Sequence, residues 1–128
     1  MQDRFRYRVF DNDDKKMHDV IFLNYENNSV EWYNDNNKKR AAFIGEVPIV
    51  QCTGLIDING KLIYEKDIIK CSYGSEFAIG VIEWDSEELQ FALKLEDAFY
   101  SIRQKTKFEI IEILGNIYEN PKLLEERT

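Results

Sequence analysis

The sequence predicts a mainly-β protein: a small antiparallel pseudo-barrel of SH3-like character, capped by a short C-terminal helix. Apolar and polar residues alternate with a period of two along most of the chain, which is typical of half-buried strands. Turn-forming residues interrupt this alternation about every ten positions, as expected for many short antiparallel strands. The chain has 128 residues, 44% of them hydrophobic, and we expect a single domain over residues 1–128.

The first region, residues 1–48, begins with a predicted strand in which two kinds of side chain alternate. Phe5, Tyr7 and Val9 share one face, which we expect to be buried, and arginines at positions 4, 6 and 8 share the other. The polar run from Asp11 onward ends this strand, because it contains turn-forming residues and no apolar side chain. We expect this region to form a β-hairpin.

Two further strands are predicted in the same region, at residues 20–25 and 30–33. They flank Asn27 and Asn28, and asparagine tolerates the positive φ of a tight hairpin turn. The polar run that follows, residues 34–40, is too hydrophilic to pack. We therefore predict a mobile loop there.

The second region, residues 49–128, carries the predicted pseudo-barrel and the helix. Residues 57–60 read Asp-Ile-Asn-Gly, a strong hairpin pattern, because Asn-Gly readily takes the two positive-φ positions of a type I′ turn. A meander of three strands follows, bounded by turn residues. These strands run over residues 68–73, 77–84 and 91–95, and residues 99–102 fit either a short strand or a helical turn.

The C-terminal part is predicted to contain a longer strand and a short helix. Residues 108–114 carry β-branched and aromatic side chains on both faces, which predicts a central strand that continues to Tyr118. Asn120 and Pro121 resemble an N-cap followed by proline at the first helical position, and we expect a helix that ends near Arg127. So short a helix does not persist alone, so it must dock on the body of the domain.

A stretch in the middle of the chain resembles the signature of the YopX family, small proteins of bacteriophages and prophages. The family pattern runs roughly Q-Y-T-G-L-x-D-x-N-G-x-x-I-Y-E-G-D-I-V, and residues 51–69 read QCTGLIDINGKLIYEKDII. Residues 5–11, with Lys16 and Met17, look like the N-terminus of the family, and residues 112–124 look like its C-terminus. Residues 18–48 carry none of its motifs.

The resemblance implies a mainly-β pseudo-barrel with a capping helix, a phage or prophage origin, and no established molecular function. It supplies no catalytic residue. Two positions depart from the family pattern. Lys66 stands at the usual glycine, so the backbone is strained there if φ is positive. Cys52 stands at the usual tyrosine, which removes a large side chain and a hydroxyl.

We interpret the signature as structural: its residues form a sharp bend in the chain, a hairpin, and an acidic turn that precedes the strand beginning at residue 68. The residues given this structural role are Thr53, Gly54, Leu55, Asp57, Asn59, Gly60, Tyr64, Glu65, Asp67, Gly115, Tyr118, Asn120 and Pro121. The interpretation fails if Tyr64, Glu65 and Asp67 instead converge around a metal or ligand in a deep hollow.

The residue types offer no catalytic, cofactor or metal site, and we expect a non-enzymatic protein without a cofactor. A nucleophilic triad needs a base beside Ser or Cys, and the single histidine, His18, stands next to a turn, where we expect it to be solvated. Two cysteines and one histidine fall short of the four ligands of a structural zinc site. Under reducing conditions Cys52 and Cys71 are expected to be buried thiols. The glycines form neither dinucleotide-binding pattern nor P-loop.

Two acidic patterns come closest to a reactive or metal site. Residues 11–13 begin like a calcium loop, but lysines and a phenylalanine occupy three of the later positions that such a loop needs. The pairs Glu65/Asp67 and Glu83/Asp85 each place two carboxylates on one strand face about 7 Å apart, as a glycosidase requires. Solvated strand ends are commoner, and we favour that interpretation.

The charge balance argues against general nucleic-acid binding. Lysine and arginine number 17 against 24 acidic residues, a formal net charge of −7, which repels phosphate unless basic groups converge. Candidate basic groups are the run at residues 38–40 and the arginines at positions 4, 6 and 8, with Trp32 and Tyr33 as stacking surfaces. Residues 65–128 carry 8 basic and 14 acidic side chains, which suggests a further hypothesis, an acidic decoy for a host protein's DNA site.

The leading functional hypothesis is a non-enzymatic phage accessory protein that binds other protein chains, itself included. An aromatic content of 13% is more than a small barrel readily buries, and homo-oligomers commonly cover such surface. The alternative is a nucleic-acid-binding β-barrel protein in phage replication or regulation. No apolar run approaches the roughly 18–20 residues of a membrane span, and residues 1–8 have no signal-peptide core. We therefore expect a cytoplasmic protein of a bacterial host with no membrane partner.

Overall fold

The computed structural model describes residues 5–102 and 109–125, and within them the chain has the predicted mainly-β fold, with antiparallel sheets and one short helix. The strands are β1 Tyr7–Asp11, β2 Lys16–Asn24, β3 Ser29–Tyr33, β4 Lys39–Phe43, β5 Ile49–Ile56, β6 Leu62–Tyr64, β7 Asp67–Tyr73, β8 Glu76–Asp85, β9 Gln90–Leu95, β10 Ala98–Ser101 and β11 Glu109–Asn116. The helix, α1, is Lys122–Glu125. The chain divides into two compact units, Met1–Cys52 and Thr53–Thr128.

The first unit is an antiparallel sheet in the order β4-β3-β2-β1-β5. Val9, Val30 and Trp32 are buried together at its core, with partly buried apolar side chains packed around them. The predicted strands at residues 20–25 and 30–33 are confirmed as parts of β2 and β3. In the turn between them Asn28 has a φ of 58°, the left-handed conformation that asparagine tolerates.

Two expectations for this unit were wrong. Phe5, placed on the buried face of the first strand, is instead exposed, because β1 begins only at Tyr7 and no strand pairing holds Phe5 inward. The polar run 34–40 is not one loop. The backbone N–H of Asn34 donates to the carbonyl of Lys38 and closes a tight turn, after which β4 begins. Polar residues can form this strand because it lies at the sheet edge, where their side chains reach solvent.

The second unit contains a five-stranded antiparallel sheet in the order β10-β9-β8-β7-β11. The predicted meander is confirmed as β7, β8 and β9, and the ambiguous segment 99–102 lies largely in strand β10. The buried core consists of Ile63, Ile69, Cys71, Ile82 and Leu93. Cys52 and Cys71 are buried and form no disulfide with each other, as predicted. Burial raises the pKa of the Cys71 thiol, so it stays protonated and unreactive.

The predicted central strand is β11, but it lies at the edge of its sheet, beside β7. Its register with β7 shifts twice, between Ile110 and Glu112 and between Ile113 and Gly115. Each shift breaks the alternation of the two faces, and Ile110 and Ile113 both pack against the same core although three positions separate them. Bulges therefore produce the two-sided apolar pattern that suggested a central strand. Residue 108 lies outside the described residues.

Two local details also differ from prediction. The hairpin at residues 57–60 forms, but Asn59 does not have positive φ. Gly60 alone does, at 78°, so the connection is a three-residue loop with glycine in the left-handed position.

The helix α1 begins after Pro121, but the Asn120 side chain does not cap it: its oxygen accepts the N–H of Asn116 at 3.2 Å. The predicted end near Arg127 lies outside the described residues, and no helix within them is long and apolar enough to cross a membrane.

Leu89, in the turn between β8 and β9, has a strained backbone conformation whose cost in stability can be measured. It has a φ of 54°, which costs a non-glycine residue roughly 1–2 kcal/mol, and it is largely exposed, so little packing offsets that strain. We expect Leu89→Asn to raise the free energy of unfolding in urea by about 1 kcal/mol, because asparagine tolerates this conformation. Ile58→Asn is the matched control, since Ile58 is equally exposed at ordinary φ. An equal gain in both variants would contradict the explanation.

Candidate protein-binding groove

An open cavity of about 510 Å³ lies on the first unit, beside the start of β1 and along β2. We call it the aromatic groove. Its walls are formed mainly by large apolar side chains: Phe5, Tyr7, Ile21, Phe22 and Tyr25. It also includes two charged residues, Arg6 and Asp19. The volume falls in the range of protein sites that accept a ligand or an anchoring side chain.

A bulge in β2 explains why apolar side chains line the groove instead of the core. Val20 pairs with Trp32 and Phe22 pairs with Glu31, so Ile21 is an extra residue in the strand. In a regular strand two consecutive side chains point to opposite faces. Here both Ile21 and Phe22 are about half exposed, at 48% and 51%, and both line the groove.

Tyr7 and Tyr25 both line the groove, and their hydroxyls are near enough for Tyr25 to affect the pKa of Tyr7. Burial raises the pKa of Tyr7, and the neighbouring Tyr25 raises it further. Tyr7 therefore stays neutral at physiological pH. The ring of Tyr25 is largely exposed at the groove.

A second cluster in this unit surrounds Asp11, the last residue of β1, which is almost fully buried. One oxygen of its carboxylate accepts the indole N–H of Trp32 at 2.9 Å, and the other accepts the backbone N–H groups of Asp13 and Asp14. Burial works to raise the pKa of Asp11, but these donors outweigh it and hold the pKa below its usual value. The carboxylate thus ties the β1–β2 turn to the core tryptophan.

His18 and Asp14 extend this cluster, a grouping that sequence analysis missed. His18 Nε2 lies 2.6 Å from Asp14 Oδ2, and the His18 side chain is only 13% exposed, so it is not the solvated histidine we expected. Asp11, Asp14 and His18 each place one possible ligand atom within 4.8 Å of the others, a set that suits a divalent cation. Both carboxylates, however, already accept N–H groups of Trp32 or the backbone. We interpret the cluster as a polar anchor of the turn.

The structure places the first half of the signature in contact with its own backbone. The Thr53 hydroxyl donates to the carbonyl of Ile63 at 2.8 Å, and Gly54, with a φ of 85°, turns the corner next to it. Asp57 is buried and accepts three backbone N–H groups, from Asn59, Lys61 and Ile113, at 2.9–3.0 Å. Asp57 therefore closes its own hairpin and also fastens it to β11.

The acidic turn at residues 64–67 also has buried side chains that contact its own backbone. Tyr64 and Asp67 are buried, and Asp67 Oδ2 accepts the backbone N–H of Tyr64 at 2.8 Å. Lys66 has a φ of 72°, so this family-glycine position does require a left-handed backbone. Glu65 is partly buried. The described hydrogen bond of this turn therefore joins Asp67 to the protein's own backbone.

Neither predicted carboxylate pair is arranged for acid–base catalysis. Asp67 is committed to the Tyr64 N–H. In the other pair, Glu83 lies 2.5 Å from Lys66 Nζ and 3.6 Å from Lys94 Nζ, and these cations hold the pKa of Glu83 below its usual value although burial works to raise it. Asp85 accepts the backbone N–H groups of Glu87 and Glu88. A general acid requires the opposite, a raised pKa.

The C-terminal signature residues form a compact turn. A Cβ on Gly115 would lie 2.3 Å from the side-chain oxygen of Asn120, so a larger residue there would displace the Asn120 side chain. Asn116 accepts the backbone N–H groups of Tyr118 and Glu119. The Pro121 carbonyl then accepts the N–H of Leu124 in α1. Leu55, at the end of β5, and Asn59 are exposed, and no described contact of either side chain explains its place in the signature.

Three of the candidate basic residues form ion pairs with carboxylates in the described part of the chain. Arg8 pairs with Asp19, Lys39 with Glu31, and Arg40 with Asp13. Trp32, proposed as a stacking surface, is buried and donates to Asp11. Arg4 lies outside the described residues.

These features define a small all-β protein whose signature polar groups bind its own backbone. The chain belongs to the YopX family, because the family model "YopX protein" matches residues 6–125. The crystal structure of protein EF1440 from Enterococcus faecalis is similar, with 23% identity over 93% of this chain and 96% of that chain and a TM-score of 0.59. The YopX protein of Bacillus subtilis has 16% identity over 94% and 98%, with a TM-score of 0.64. These two likenesses concern the fold. No curated protein matches the chain.

Asp57 provides the test of the structural interpretation of the signature, which is so far a prediction. Asparagine has one acceptor oxygen and cannot receive all three N–H groups, so Asp57→Asn should lower the free energy of unfolding by about 2 kcal/mol. Urea denaturation measures the change, and Asp97→Asn, at an exposed position, is the control. A change below about 0.5 kcal/mol would count against a structural role for Asp57.

Stability should also fall in acid. Burial works to raise the pKa values of Asp11, Asp14 and Asp57, but the N–H groups that they accept outweigh it and hold all three values low in the folded chain. The unfolded chain therefore takes up protons first, and stability present above the ordinary aspartate pKa of about 3.9 is lost as the pH falls through the lower folded values. Urea denaturation from pH 6 to pH 2 should show this loss, and Asp57→Asn should show a smaller one. An identical slope in both proteins would contradict the assignment for Asp57.

Proposed function

We propose that this protein is a non-enzymatic phage or prophage accessory protein that acts by binding another protein chain at the aromatic groove. The observation that carries the proposal is the exposure of apolar groove side chains: Phe5 is 72% exposed and Tyr25 75%, beside the half-exposed Ile21 and Phe22. Monomeric soluble proteins rarely expose a continuous apolar patch of more than a few hundred Å², and larger patches mark interaction sites.

The energetics support a protein partner. Covering a large apolar side chain that is otherwise exposed contributes about 1.5–3 kcal/mol, and aromatic anchors dominate measured hot spots. The β2 bulge fixes the wall of the groove that contains Ile21 and Phe22 before a partner arrives. Such preorganisation reduces the entropy that binding must overcome.

The described polar groups support a non-enzymatic role. The carboxylates of both candidate pairs are held in backbone hydrogen bonds or ion pairs, and the buried Cys71 is kept protonated by its surroundings. The same proposal places the protein in the bacterial cytoplasm, where free thiols persist.

Nucleic-acid binding, the alternative, has less support. Three of the cations considered for phosphate contact, Arg8, Lys39 and Arg40, are paired with carboxylates, and the formal net charge is −7. A mobility shift at about 50 mM salt that fades as salt rises would favour this alternative, because electrostatic binding weakens in that way.

The groove itself can be tested with two exposed phenylalanines, one in each unit. We expect Phe22→Glu to weaken association of the purified chain with its protein partner by about 30-fold or more, the effect of losing one hot-spot anchor of at least 2 kcal/mol. Phe77→Glu is the matched control, because Phe77 is also exposed but lies on β8, outside the groove. Cross-linking in bacterial cells, followed by mass spectrometry, measures association of the chain with itself and with other proteins.

Two results would overturn the proposal. One is that no protein cross-links to the chain and it stays monomeric at every concentration. The other is that association is unchanged by Phe22→Glu and lost in Phe77→Glu, which would move the binding surface to the second unit.

A further inference from the structure

We propose that Asn59 is a site of spontaneous deamidation and that the hydrogen bonds of Asp57 limit the rate of this reaction. Asn59 and Gly60 form the only Asn-Gly pair in the sequence. Both residues are exposed in the hairpin loop between β5 and β6. The loop lies in the second unit, outside the aromatic groove, so the proposal does not depend on the function proposed above.

The reaction joins two groups that are neighbours along the chain, and its only other reactant is water. The backbone nitrogen of Gly60 loses its proton and attacks Cγ of the Asn59 side chain. A bond between this nitrogen and Cγ forms and closes a succinimide ring. The bond from Cγ to Nδ2 breaks, and Nδ2 leaves as ammonia with a proton. Water then opens the ring at Cγ, which gives aspartate, or at the backbone carbonyl carbon, which gives isoaspartate.

Two features of the loop make Asn59 susceptible to this reaction. Its side-chain amide is exposed and makes no described hydrogen bond, so it can rotate toward the attacking nitrogen. Gly60 has no side chain beside that nitrogen, and a Cβ built on Gly60 would meet no atom within 4 Å. Every other asparagine in the sequence precedes a residue whose side chain hinders the same approach.

Hydrogen bonds to Asp57 restrain the reaction in the folded chain. The Gly60 N–H donates to the backbone carbonyl of Asp57 at 3.0 Å, so the proton that the nitrogen must lose is engaged. The N–H groups of Asn59 and Lys61 donate to Asp57 Oδ1, each at 2.9 Å, and hold the backbone on both sides of Gly60. Ring closure therefore requires the loop to open. Because a loop opens and closes much faster than this reaction proceeds, the rate follows the population of the open loop.

Isoaspartate changes the hairpin more than aspartate does. Its main chain contains one additional carbon, which lengthens the loop by about 1.5 Å. The ends of the loop are joined by the Asp57 N–H, which donates to the Lys61 carbonyl at 2.9 Å. A longer loop does not hold its N–H groups at the Asp57 carboxylate, which also fastens the hairpin to β11 through the N–H of Ile113. The modification is irreversible without an enzyme, so stability falls as a copy of the chain ages.

Incubation of the full chain at mildly alkaline pH tests the site. Tandem mass spectrometry assigns each replacement of NH by O to one asparagine and distinguishes isoaspartate from aspartate. Asn28 is the matched control, because it is also exposed in a hairpin turn but precedes Ser29. We expect Asn59 to react about 10-fold faster than Asn28, which corresponds to a barrier lower by about 1.4 kcal/mol. Asn59→Gln should remove the modification, because the longer side chain forms its ring much more slowly.

Asp57→Asn tests the restraint. It removes acceptors for the N–H groups that hold the loop, so we expect the reaction at Asn59 to accelerate by about 30-fold. The rate at Asn28, in the other hairpin, should not change. Circular dichroism shows that the variant is folded at the incubation temperature, and fragment ions distinguish changes at position 57 from those at Asn59.

A further variant separates the added charge from the added carbon. Asn59→Asp has the charge of the product without the longer main chain, and its unfolding equilibrium constant should stay close to that of the unchanged chain. The purified isoaspartate form should unfold with a constant about 10-fold larger, because it loses a hydrogen bond of the loop. Urea denaturation measures both.

Each contrary result overturns a defined part of the proposal. Equal rates at Asn59 and Asn28 overturn the modification site, and that comparison needs no variant. An unchanged rate at Asn59 in folded Asp57→Asn overturns the restraint by Asp57. An isoaspartate form as stable as Asn59→Asp overturns the effect on the hairpin. These results are independent of any binding at the aromatic groove.

Discussion

Buried aspartate carboxylates that accept backbone N–H groups are the interaction on which the rest of this fold depends. A chain of short strands has many turns, and each turn leaves N–H groups that no strand partner satisfies. In this chain Asp11, Asp57, Asp67 and Asp85 are buried at or beside strand ends, and each accepts at least one such N–H. Some of the acidic side chains of the sequence therefore stabilise the backbone from inside the fold. The other acidic side chains contribute the charge that partners encounter at the surface.

The sequence was sufficient for the architecture because strands and turns are encoded locally. Period-two alternation identified most of the strands, and the signature placed the hairpin at Gly60 and the strained turn at Lys66. What it did not reveal depends on pairing register. The bulges in β11 made an edge strand look central, and Phe5 was assigned to a buried face because a pattern of side chains does not show where pairing begins.

The sites were harder to predict than the fold for a related reason. The aromatic groove exists because one extra residue, Ile21, interrupts β2, and composition gives no sign of that insertion. The grouping of Asp11, Asp14 and His18 arises when a turn folds back on its own strand, whereas sequence analysis compared each residue with a known motif separately. The resemblance to the YopX family was specific in the signature but had no motif for residues 18–48, which include most of the groove.

Lys66 shows what a departure from a family pattern does to a turn. Its backbone holds a conformation suited to glycine, while its amine forms a half-buried ion pair with Glu83. Salt screens such a pair less than it screens an exposed one, so the favourable interaction persists where surface pairs fade. Enzymatic acetylation of that amine would remove the ion pair with Glu83 and leave the unfavourable φ of Lys66 unchanged. Modification of this one side chain would therefore destabilise the turn before β7.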